Sequence, residues 1–158
     1  MDNDPRVVAQ GDAPAPFTAK EIRTGCPEGR RVTIRYVDPK GENTYRTTTF
    51  TACDEEGAML AIQAVDAGGR PIGEASQFRA TWDELQAHAS FPTHQTTISR
   101  EPLGTPLGDL DCLRYEVDDS VTIRILWFAS DLPGLPVKTQ EVDGEAARLT
   151  SEMIENVV

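Results

Sequence analysis

Hydrophobic and polar positions alternate along most of this chain, and most plainly between residues 110 and 129. Leu110–Val117 and Val121–Ala129 read as two strands, because a period of two sends successive side chains to opposite faces of a sheet. Asp118-Asp119-Ser120 turns one into the other, and Asp131-Leu132-Pro133-Gly134-Leu135-Pro136 stops the second. Ile123, Ile125 and Trp127 fall on one face of the second strand, Leu126 and Phe128 on the other. A strand apolar on both faces needs cover on both.

Strand signals recur on either side of this hairpin. Arg31–Val37 sets Val32, Ile34 and Tyr36 against Arg31, Thr33 and Arg35. Asp38-Pro39-Lys40-Gly41 turns it into Asn43–Ala52, with the β-branched run Thr47-Thr48-Thr49. Ala58–Val65, a further strand at Pro71–Phe78, and segments at His94–Glu101 and Val137–Val142 continue the pattern. Asp143-Gly144 leads into Glu145–Val158, which we read as a strand although Ala146-Ala147-Arg148-Leu149 also suits a helix.

Two short helices interrupt the strands. Thr18 and Glu21 form a capping box, with Phe17 and Ile22 at the positions of a hydrophobic staple, and Gly25 and Pro27 end the helix. Its expected role is to cover one end of the sheet. Thr81 and Glu84 form a second box, followed by Trp82, Leu85 and Ala89 on one helical face and a stop at Phe91-Pro92. Residues 1–16, rich in proline and small residues, read as a disordered tail or tether; residues 17–158 read as a single domain. The predicted class is mainly β (α+β). We expect a curved antiparallel meander sheet, a half-barrel, with two short helices of which the second covers the concave face.

Charge narrows the functions open to such a domain. With 26 acidic and 15 basic residues the net charge is −11, which opposes binding to nucleic acid or to anionic lipid surfaces. No apolar run is long enough to span a bilayer as a helix, and Met1-Asp2-Asn3-Asp4 does not begin a signal peptide. The expected setting is therefore either the cytoplasm or, for a mature or trimmed form, the periplasm or cell envelope.

Candidate chemistry is sparse. Cys26, Cys53 and Cys112 have no zinc-knuckle or CxxC spacing, and are read as buried thiols or as one disulfide and one free thiol. His88 and His94 lack a ligand register, and Glu84 with His88 supplies only two donors on one helical face. There is no Gly-x-Ser-x-Gly elbow and no phosphate-cradling loop. The expectation is a protein that is not an enzyme and carries no metal and no cofactor. Most aromatics fall on inward faces, where core packing accounts for them. The rival reading is an apolar cleft between the curved sheet and its covering helix, lined by Met59, Leu60, Ile62, Trp82, Leu85, Trp127 and Phe128.

The order of tether, capped helix, strand meander, covering helix and further strands resembles the bacterial LolA/LppX-like half-barrel lipoproteins. The stretch Trp127–Val137, a strand ending in a Leu-Pro turn, is similar to the end of that superfamily's sheet. The chain departs from the pattern in lacking a lipobox cysteine near its start, and in helices too short to fill a large barrel. The resemblance implies an unclosed barrel around helices in a cell-envelope protein that holds a lipid or other apolar ligand. A structural or protein-interaction module with a fully packed core is the alternative.

Overall fold

Each helix starts at its capping box. In the computed structural model of the protein, which describes residues 4–158, α1 spans Ala19–Gly25 and α2 spans Trp82–Ala87. The Thr18 and Thr81 hydroxyls accept the backbone N–H of Glu21 and Glu84, whose carboxylates accept the backbone N–H of Thr18 and Thr81 in return. Donors that a helix start leaves orphaned are satisfied locally, which is why such short helices form where they do.

The strands are β1 (Arg31–Val37), β2 (Asn43–Thr51), β3 (Gly57–Val65), β4 (Ser76–Thr81), β5 (Thr96–Thr105), β6 (Gly108–Asp118), β7 (Ile123–Ala129), β8 (Lys138–Asp143) and β9 (Ala146–Val157). They form one antiparallel sheet in the order β4-β3-β2-β1-β9-β8-β7-β6-β5. Two meanders thus join where the first strand meets the last, with Arg31 opposite Val157 and Tyr36 opposite Ser151. The chain passes from β4 at one edge to β5 at the other through α2 and a 3-10 turn at Thr93–Gln95. That crossing lays α2 over the concave face of a curved, unclosed sheet.

Pairing contacts explain where two of the later strands begin. The fourth strand begins at Ser76 rather than Pro71: Pro71 makes only an isolated bridge to Val65, and Gly73 adopts a positive φ of 71°. Ala146–Leu149 is strand despite its helix-compatible composition, because Ala147 and Leu149 pair with Val142 and Gln140 of β8.

The concave core joins Phe17 and Ile22 to Trp82 of α2 and to Phe50, Leu60, Tyr115 and Phe128 of the sheet. Phe128 stands edge-on to Phe17 at 6.3 Å and to Tyr115 at 5.3 Å between centroids, the arrangement that ring quadrupoles favour. Both helices share this core, so α1 does more than close one end of the sheet.

From Pro5 onward the expected tail is not loose. The Gln86 amide donates to Pro5 O (2.8 Å) and the Tyr115 hydroxyl to Pro14 O (2.6 Å), while Ala13 N–H donates to Phe91 O (2.7 Å) and Thr93 N–H to Gly11 O (2.9 Å). Ala13 and Ala15 are buried. The physical reason is polar satisfaction: Gln86 and Tyr115 are buried and need acceptors, and the extended proline-rich segment offers free carbonyls. The remainder of that expectation, for residues 1–3, lies outside the described residues.

Candidate functional site

Beneath the helices the concave face is not filled. A cavity of about 310 Å³ remains between the sheet, α1, α2 and the loop that follows β7. Buried Phe50, Leu60 and Phe128 make its floor, with Ile22 and Leu85 above. Arg46, Phe78 and His88, all exposed, stand at its open side.

Strand parity decides which of the expected cleft residues reach this space. Leu60, Ile62, Leu85 and Phe128 line it. Met59 does not: as the neighbour of Leu60 on β3 it takes the other face, opposite Thr51 and Arg79. Trp127 alternates with Leu126 and Phe128 and also points away from the cavity. It is only 5% exposed, because Arg114 and Lys138 lie over its ring at 5.8 and 5.1 Å and its indole N–H donates to Glu101 Oε2 at 2.7 Å. The second cover that β7 required is a second apolar cluster, in which Ile125, Trp127 and Ala129 pack with Cys112, Val137 and Leu132, with the stems of Arg114 and Lys138 laid over the indole. Trp82 belongs to the concave core but not to the cavity wall; its indole N–H donates to Asp54 O at 2.8 Å.

Other residues complete the wall. Tyr36 and Thr48 face inward from β1 and β2, paired in register with Thr44 and Val32. Gly134, Leu135 and Pro136 close one side. The alternation of β1 signalled Tyr36, but nothing local signalled that the loop after β7 folds back under α1. Buried Arg30 holds that loop by donating to Pro133 O at 2.6 Å, and Gly25 packs so closely on Pro133 that a Cβ there would lie 2.6 Å from the ring.

Charge is distributed unevenly around the molecule's hollows. No Asp or Glu among the described residues lines the cavity, whereas Arg46 and His88 do. Two other depressions, of about 460 and 500 Å³, are walled by charges of both signs: Glu55, Glu56 and Asp83 with Lys20 and Arg23 in one, Asp66 and Glu155 with Arg31 in the other. Unlike these two, the cavity under the helices carries no carboxylate in its wall.

The thiols are free. Burial pushes Cys26 above the ordinary range, with Arg30 opposing, and burial likewise raises Cys53 and Cys112. A raised thiol is mostly protonated at neutral pH and a poor nucleophile. Among the described residues, no three His, Cys, Asp or Glu side chains gather as metal ligands. His88 caps the end of α2 and His94 lies in the 3-10 turn, both exposed.

The geometry defines a class of architecture, an open antiparallel half-barrel with an apolar hollow under two helices, and one comparison with solved structures supports that class. The chain resembles a Bacteroides fragilis protein of YmcC-like fold, inferred to be exported, with a TM-score of 0.52 at 10% identity over 84% of this chain and 97% of that one. No protein-family model and no curated protein matches the chain. Among the described residues, no helix is long and apolar enough to cross a membrane.

Proposed function

We propose that this protein is a non-enzymatic binding protein of the cell envelope, holding an apolar or lipid-like molecule between the concave face of its sheet and its two helices. The observation that carries this reading is the 310 Å³ hollow floored by Phe50, Leu60 and Phe128. Its volume lies at the lower end of the range for small-molecule sites, and walls of this kind need only shape and hydrophobicity to hold an acyl chain. The extracytoplasmic setting draws support from the inferred export of the structural neighbour.

Native mass spectrometry of the purified protein, followed by organic extraction, tests the reading. A co-purifying acyl compound near one per chain supports it. A clean apo mass with no uptake of added fatty acid or phospholipid overturns it. That result would favour the alternative, a protein-interaction module acting through its unpaired edge strands β4 and β5, since a free strand edge is a template for another chain.

A further inference from the structure

The geometry points to a single-chain fatty carboxylate as the occupant, its chain in the hollow and its carboxylate on Arg46. The inference rests on the apolar-ligand reading above and goes beyond it by naming the head group. Arg46 stands on the cavity wall with its guanidinium 5.2 Å from the centroid of the Tyr36 ring. That stacking fixes a flexible cation at the rim. Among the described residues Arg46 forms no ion pair, although the chain carries 26 acidic side chains against 15 basic ones. With Arg46 in its wall and no carboxylate beside it, this hollow is complementary to an anion.

Size and valence restrict the anion further. A volume of about 310 Å³ lies near the lower end of small-molecule sites and suits one medium-length chain. One guanidinium presents a fork of two parallel N–H donors that matches a single carboxylate. A phosphate monoester would bring nearly two negative charges to a rim with one permanent cation. The exposed imidazole of His88 also lines the hollow and adds an N–H donor.

Calorimetric titration of the full chain with dodecanoate, dodecan-1-ol, dodecyl phosphate and dodecyltrimethylammonium tests the assignment. The expected result is dodecanoate binding about tenfold more tightly than dodecanol, with the cationic amphiphile weakest. Arg46→Gln should remove that preference, bringing dodecanoate affinity down to that of dodecanol in the same variant. Arg70→Gln, an exposed turn position away from the cavity, alters net charge equally and should change nothing. Equal binding of dodecanoate and dodecanol, or a preference that survives Arg46→Gln, would overturn the carboxylate assignment while leaving the apolar site standing. Tighter binding of dodecyl phosphate would also overturn it. Failure of all four to bind would defeat the apolar site as well.

Discussion

Arg30 offers the sharpest test of how this fold is held together. It is 1% exposed, and no carboxylate pairs with it among the described residues. Its Nε donates to Asn156 Oδ1 at 2.8 Å, and its Nη1 to Gly25 O at 3.1 Å and Pro133 O at 2.6 Å, with Cys26 Sγ also 3.1 Å away. Nη2 finds no partner among the described residues. One side chain therefore ties the end of α1, the loop after β7 and the C-terminal end of β9. Three part-buried oxygen acceptors would lose their donor in Arg30→Met, at about 1–3 kcal/mol each. Against that, removing an uncompensated charge recovers a desolvation cost of several kcal/mol, so the net loss should be about 3 kcal/mol. Arg30→Ala adds a cavity and should cost about 5 kcal/mol. Arg30→Lys keeps the charge but cannot span from Asn156 to Pro133, and should be no better than Met. Urea denaturation monitored by tryptophan fluorescence reads these differences, and about 3 kcal/mol corresponds to a drop of roughly 6–12 °C in Tm. An Arg30→Met protein within about 1 kcal/mol of the parent would refute the reasoning, because the bonds to the loop would then only cancel the desolvation of the charge.

Three further outcomes follow from single contacts. Gly57→Ala would set a Cβ 2.2 Å from Ala80 O, and backbone cannot yield as a side chain can; a loss of about 3 kcal/mol is expected by urea denaturation. Trp127→Ala should cost about 3–5 kcal/mol yet leave dodecanoate uptake unchanged, because the ring lies on the far side of β7; impaired uptake in the folded variant would contradict that placement. Burial pushes the Tyr115 phenol up to about 12. Its folded value lies above the unfolded one near 10, so the folded state keeps its proton longer; stability is intact below about pH 10 and falls by about 2–3 kcal/mol as pH rises through 12. Phenolate absorbance appearing on folded protein with an ordinary midpoint near 10 for Tyr115, assigned by comparison with Tyr115→Phe, would count against its burial.

Local signals account for the elements. Thr18 with Glu21 and Thr81 with Glu84 satisfy their own helix starts, so the boxes are legible wherever the chain is read. The span Arg31–Val37 follows from alternation, as does the strand read at Val121–Ala129, which pairs from Ile123 onward, since a period of two is a property of the strand itself. The mainly β, antiparallel, half-barrel class follows from many such strands with short turns. Leu60, Ile62, Leu85 and Phe128 were recognisable as candidate cavity residues because each is apolar and sits at an inward position of a regular element.

The tertiary structure alone decided the rest, because each item depends on groups far apart in sequence. The pairing of β1 with β9 brings Arg31 to Val157 and makes one sheet of two meanders; no local pattern encodes which edges meet. Met59 and Trp127 were assigned to the cleft on hydrophobicity, and the register of their neighbours sent both to the other face. The segment from Pro5 to Pro16 has the composition of a tether, yet buried Tyr115 and Gln86 recruit its carbonyls. Arg46 reads in sequence as one more charge on a strand. Only the closure of β1–β3 against β7, α1 and α2 places that cation over Tyr36 at the rim of an apolar hollow. Hydrophobic periodicity acts over a few residues and specifies elements; polar satisfaction, register and cavity shape act across the whole chain and exist only once it has folded.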